Sequence, residues 1–395
     1  MTASEQLAQF AAGSKALPKL CREYKKERAT VHLKELVGGA LSFYAAAAVA
    51  KTGGVHIFVA EDRDAAAYLL NDFYNLLDEK QVYFFPSSYK RSAAYGAEDA
   101  QGVVQRTTAM NAVRGFTKGY LVVCTYPEAL AERVVDAATL QRDTIAVKLG
   151  DKISIAVLED ALADANFTRV DFVYEPGQYS VRGGIVDVFS YSESKPYRID
   201  FFGDEVRRFN ISSQLSADKL DRVEIVPNLN AGEAPRVSFV QFAGSSATCW
   251  FYDADYVLRR VNDLRRKVLA DMEEPGQIDR LLTSRNVLLR DMAGNSVVAL
   301  RDNLPERPAT AAVVFDTAPQ PKFNKNFEML ADDMIRNSLR GYATYILSEN
   351  KVQVERLENI FHQIGRGQAA VRSLSVTLHE GFVDNDLKLC LYTDH

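Results

Sequence analysis

Cysteine and histidine are scarce in this chain, and the few present stand apart. Cys21, Cys124, Cys249 and Cys390 form no C-x-x-C pair and meet no histidine at metal-ligand spacing. The expectation is four reduced thiols in a cytoplasmic protein. The five histidines, His32, His56, His362, His379 and His395, are spaced neither for a metal site nor for a Ser/His/Asp triad. An excess of positive charge is also missing. Lysine and arginine number 47 against 52 aspartate and glutamate, a net charge of −5, whereas a dedicated nucleic-acid binder concentrates basic residues on one face. No apolar run is long enough to span a bilayer, the stretch 41–50 being too short. The opening MTASEQLAQF lacks the basic and apolar regions of a signal peptide. No cofactor, metal or membrane partner is expected.

What is present is an ordinary globular composition, 47% hydrophobic and 25% charged, over 395 residues. That length leaves room for roughly two to four domains. Residues 1–30 read as polar helix, with a solvated basic cluster at 22–28. A strand or turn at 36–37, the turn Gly38-Gly39, an alanine-rich helix, a buried strand at 55–60 and a helix at 62–77 follow. This βαβ order is that of a nucleotide-binding α/β domain. Gly38-Gly39 sits where a phosphate loop would, but the helix opens Ala40-Leu-Ser-Phe-Tyr without the lysine that meets the β- and γ-phosphates. Lys51-Thr52 lies at its far end, and Ser42 alone is a poor magnesium ligand. ATP hydrolysis is not expected.

A strand at 81–86, a polar segment at 87–101, a helix at 103–114 and a strand at 120–125 come next. Tyr89, Lys90, Arg91 and Tyr95 read as a solvated loop rather than a DNA contact. From residue 142 the pattern changes to a strand at 145–149, a helix at 154–165 capped by Ser154, and a closing strand at 222–227. Strands at 237–242 and 248–252 precede an amphipathic helix at 254–272. Its Arg259, Arg260, Arg265 and Arg266 either face solvent or form an anion-binding patch. Beyond the proline-rich stretches 305–308 and 318–321, helices at 326–340 and 352–364 alternate with strands at 342–348, 374–378 and 387–392.

The most informative stretch is 174–209. Residues 181–189 and 197–202 are rich in strand formers and are joined by the polar link 190–196, which predicts a β-hairpin. Alternation puts Tyr197, Ile199 and Phe201 on a core face, and Arg198, Asp200 and Phe202 on the opposite, wet face. Arg182 falls near Arg198 in such a hairpin. An arginine beside an exposed aromatic is the make-up of a protein-binding hot spot. The plainer alternative is that Phe202 folds under and the hairpin only packs. Asp200, Asp204 and Glu205 read as surface charges around a Gly203-Asp204 turn, and His379-Glu380 as a turn before the last strand.

The runs VRGGIVDVFS and PYRIDFFGDEV resemble the second domain of the bacterial transcription-repair coupling factors, and more distantly the matching domain of the excision-repair helicase UvrB. The ending HEGFVDNDLKLCLYTDH is similar to the close of the coupling factors' third domain. The resemblance implies an α/β fold: a degenerate P-loop helicase-like domain in two parts, 1–141 and 229–318, an inserted UvrA-binding α+β domain at 142–228, and a small C-terminal α/β domain at 319–395. It implies a non-catalytic adaptor that recruits UvrA to stalled RNA polymerase, with Arg182, Arg198 and Phe202 as the UvrA-binding residues. RNA polymerase and DNA would be engaged by other regions of a longer protein, through an ATP-dependent motor, and the chain looks like its N-terminal portion. With no covering domain in this chain, the UvrA-binding surface is expected to stand open. UvrB's aromatic DNA-clamping hairpin finds no match in 87–101, so damage verification is not implied. A nucleotide- or DNA-binding helicase relative is the alternative.

Overall fold

The computed structural model describes residues 2–89, 99–211, 220–230, 234–272 and 274–393. The readings of Lys90, Arg91 and Tyr95 lie outside the described residues. The fold is mixed α/β. Among the described residues its centre is a seven-stranded sheet, in the order Ala311–Val314, Thr30–Lys34, Ser296–Ala299, Thr248–Phe251, Gly54–Val59, Tyr120–Thr125, Val82–Phe84. Every pairing in it is parallel. Strand alternation explains why both of its faces are covered. Ile57, Cys249 and Phe251 enter one apolar core, while their neighbours Phe58 and Trp250 enter a second on the other side.

The second core also takes in Leu374, Phe382, Leu389 and Leu391. These come from a five-stranded mixed sheet built from Thr317–Pro319, Phe382–Asp384, Leu389–Thr393, Ala343–Leu347 and Ser373–Leu374. The C-terminal sheet therefore shares one core with the helices Ala3–Ala12 and Ala40–Thr52. Tyr44 donates a hydrogen bond to the Asp384 carboxylate across that contact.

A third core lies between residues 147 and 225. The helix Ile155–Asp164, with Ser154 accepting from the Val157 amide as its cap, packs Leu158 and Leu162 against Val186, Val188, Tyr197, Ile199 and Val206. Several sequence expectations need correction. The strand expected around 36–37 is Thr30–Lys34, which ends where Glu35 turns through a positive φ of 57°. The strand expected at 237–242 is only Arg236–Val237, followed by the helix Phe239–Ala243 with Ser238 as cap. Arg222–Ile225 does not close the hairpin sheet; it pairs with Ile145–Lys148 in a separate two-stranded sheet. The single strand expected at 181–189 is broken by a tight turn, because Gly183-Gly184 reverses the chain. Among the described residues no helix is long and apolar enough to cross a membrane.

Candidate protein-interaction face and the phosphate-loop position

Two tight turns shape the face that carries the predicted residues. Gln178–Arg182 returns as Ile185–Val188 through Gly183-Gly184, with Arg182 opposite Ile185. Gly183 has a φ of +60°, as a two-residue hairpin turn requires. Gly184 is needed for a different reason. A Cβ there would lie 2.9 Å from the carbonyl of Phe201, whose amide bonds the Gly184 carbonyl at 2.7 Å. Tyr197–Phe202 then turns through Gly203-Asp204 into Glu205–Ile211. Asp200 opposes Arg208 while Phe201 opposes Val206, which leaves Arg207 as the extra residue of a β-bulge.

Asp187 stands directly across from Arg198. Its carboxylate accepts from Arg198 Nε at 2.7 Å and Nη2 at 2.8 Å, and from Arg182 Nη2 at 2.6 Å. The Asp187 side chain is 5% exposed, against 46% for Arg182 and 37% for Arg198. A buried carboxylate thus fixes two arginines that still reach solvent. Burial alone would raise the Asp187 pKa, but hydrogen bonds from Arg198 and Arg182 outweigh it and hold the carboxyl below its ordinary value. The Arg198 pair is bidentate and the Arg182 pair a single bond, and both guanidinium groups keep part of their surface toward solvent.

Phe202 is 68% exposed. The alternative in which it folds under is overturned: Phe201 packs on the core and Phe202 points the other way. Arg207, displaced by the bulge, places its guanidinium 4.1 Å above the Phe202 ring. Along a strand, Arg198 and Phe202 are separated by roughly 13 Å. Two more exposed aromatics, Phe172 and Tyr174, precede the hairpin, and Arg182 lies 5.3 Å over Phe172. The structure therefore brings Arg182 and Arg198 together through Asp187 and sets Phe202 further along the same face. Sequence reasoning missed Asp187, Arg207 and Phe172. Asp187 was within reach, since it alternates with the buried Val186 and Val188 and must face the same side as Arg182.

The phosphate-loop position is filled by the chain itself. Gly38 has a φ of +55°, and a Cβ on Gly39 would lie 2.1 Å from the Glu380 carbonyl oxygen. The glycine pair is thus required by the passage of residues 378–381 over the start of the Ala40–Thr52 helix. His379-Glu380 is more than a turn: the His379 ring stacks on Tyr68 at 3.7 Å and its amide donates to Asp72 at 2.7 Å. Ser42 is committed too, donating to Asp72 at 2.6 Å and to the Gly39 carbonyl at 3.0 Å. Burial raises the Asp72 pKa to about 6.

The arginines on the helix Ala254–Asp271 are paired rather than free for an anion. Arg259 meets Asp255, Arg260 meets Glu128, Arg265 meets Asp279 and Arg266 meets Asp263. Among the described residues no cluster of His, Cys, Asp and Glu has the make-up of a metal site.

Residues 145–230 match the family described as the UvrB interaction domain. The chain is similar to the transcription-repair-coupling factor of Bacillus subtilis (strain 168), at 25% identity over 49% of this chain and 17% of the relative. It is similar to that of Escherichia coli (strain K12) at 26% identity over the same shares. The Haemophilus influenzae factor is 32% identical over 25% of this chain and 9% of its own length. The aligned region thus spans under a fifth of each of these relatives. The match to the UvrB interaction domain covers the whole hairpin, and with the coupling-factor relatives it bears out the resemblance read from the sequence.

Proposed function

We propose that this chain is a non-catalytic adaptor of transcription-coupled nucleotide excision repair, acting in the cytoplasm, which recruits UvrA through the 145–230 unit. The observation that carries the reading is the pair of arginines held by buried Asp187 on the same face as an exposed Phe202, inside the matched domain. Phe202 is the apolar anchor, desolvated on binding. Arg182 and Arg198 meet carboxylates of UvrA, with Asp187 holding them in the geometry they keep in the complex. The seven-stranded sheet is read as a degenerate helicase-like scaffold interrupted at 142–228 and resumed to 318, with 319–395 as the third unit. RNA polymerase and DNA are partners of other regions of a full-length factor. Phe202 and parts of both arginines are solvent-exposed.

Binding of purified UvrA to wild type, Arg198→Glu and Phe202→Ala tests the reading. Loss of more than about 1.5 kcal/mol in both variants supports it. Equal binding by all three moves the surface elsewhere, and no binding by a folded wild type removes the adaptor role.

A further inference from the structure

A cavity of about 380 Å³ opens at the carboxyl ends of the strands Gly54–Val59 and Thr248–Phe251, beside Gly38-Gly39. Its volume is within the range of small-molecule sites, and open parallel sheets bind ligands at this edge. Two features of its lining choose the ligand. The walls offer aromatic surface from Tyr68, Trp250 and Tyr252. The charges are of one sign: Glu61, Asp72 and Glu380 line it, and none of the described lining residues is lysine or arginine. Arg301 is not a lining residue; it is paired with Asp253 and its guanidinium lies 5.7 Å over the Tyr252 ring. Among the described residues this leaves Tyr68 and Trp250 as the aromatic walls without a cation already on them.

An anion entering here would face three carboxylates. The start of the Ala40–Thr52 helix adds only about half a positive charge, and its first turn is covered by residues 378–381. A cation with a flat apolar body meets the opposite balance, with aromatic faces for the ring and for the charge, and carboxylates to receive its N–H groups. We propose that this cavity is a binding site for a small organic cation of the aryl-amidinium or aryl-ammonium class, beside the helix start that residues 378–381 cover. Glu61 and Glu380, both exposed, stand at the mouth, and Asp72 is buried at the inner end with Ser42 and the His379 amide as its partners. The site is separate from the Phe202 face and does not depend on it.

Trp250 is the only tryptophan in the chain and lines the cavity, so its fluorescence reports occupancy directly. Titration of the 395-residue chain with benzamidinium should shift Trp250 emission with a dissociation constant below about 1 mM. Benzoate, of the same shape and opposite charge, should produce no saturable change. Glu61→Gln alters an exposed side chain and should keep the wild-type unfolding temperature, whereas Tyr68→Ala also loses the His379 stack and should lower it slightly; in the folded proteins each should weaken benzamidinium by at least about fivefold. Benzoate binding as tightly as benzamidinium, unchanged binding in both variants, or no saturable change with benzamidinium up to about 10 mM would each overturn the proposal.

Discussion

Arg198 and Asp187 face each other across two antiparallel strands, and the guanidinium closes on the carboxylate with both Nε and Nη2, at 2.7 and 2.8 Å. The same carboxylate takes Arg182 at 2.6 Å, so one buried acid sets the direction of two exposed bases. Asp187→Asn leaves the shape but removes the charge and half of the accepting capacity. Because the arginines are partly solvated, the cost to folding should be only about 1–2 kcal/mol. UvrA affinity should fall about tenfold or more, since both arginines lose their fixed orientation. Denaturant unfolding beside a binding isotherm separates the two effects. A variant that binds normally would show that the arginines need no tether.

Phe202 gives the opposite ratio. At 68% exposure it buries little on folding, and its principal partner is Arg207. Phe202→Ala should change stability by no more than about 0.5 kcal/mol, while costing about 2 kcal/mol or more in UvrA binding. Arg207→Ala should show a weaker form of the same split, because it frees the ring without removing it. Calorimetric binding on the three proteins decides the order.

Much of this was legible from residues alone. Hydrophobic runs such as 55–60 and 120–125 are buried on both sides and declare a parallel sheet, and alternation in 197–202 sorted Ile199 inward and Phe202 outward. The errors share a cause: they sit where backbone geometry or distant packing overrules local pattern. Strand formers flank Gly183-Gly184 on both sides, so the hairpin turn there depends on two glycines that sequence alone reads as flexible. Likewise Gly38-Gly39 looked like the relic of a phosphate loop. The contact that requires the second glycine comes from Glu380, more than three hundred residues away.

That contact yields a third prediction. A methyl group on Gly39 would be 2.1 Å from the Glu380 carbonyl oxygen, a backbone atom with no side-chain freedom to yield. Gly39→Ala should therefore push residues 378–381 off the helix start and disturb the Tyr68–His379 stack, at a cost of about 1–3 kcal/mol. Hydrogen exchange should quicken at the His379 amide, which bonds Asp72, while the Ile185–Val188 and Tyr197–Phe202 strands stay protected. Unchanged exchange at His379 would mean that the loop adapts without leaving its seat.

The last prediction concerns acid. His56 is buried at the heart of the large sheet, where Trp250 Nε1 donates to its Nδ1 at 3.1 Å and its Nε2 meets the Gly53 carbonyl at 3.1 Å. The ring is consequently neutral, with its proton on Nε2, and a second proton on Nδ1 would confront the indole N–H. Burial lowers its pKa to about 4, from roughly 6.5 in an unfolded chain. A depressed histidine contributes stability that is present above the unfolded value and lost as pH falls from about 6.5 towards 4, up to about 3 kcal/mol. Asp72 works against it, since a carboxyl raised to about 6 stabilises the fold at low pH and loses that contribution as pH rises through 6. Wild type alone would blur the two slopes, so the measurement is the difference between wild type and His56→Gln. Their unfolding free energies should differ most at pH 8 and converge towards pH 4.5, while native Trp250 emission stays constant down to about pH 5 and shifts only as the pH nears 4, in wild type alone. A difference that stays constant with pH would mean that His56 is protonated in the fold and that its bond to Trp250 is not the one described.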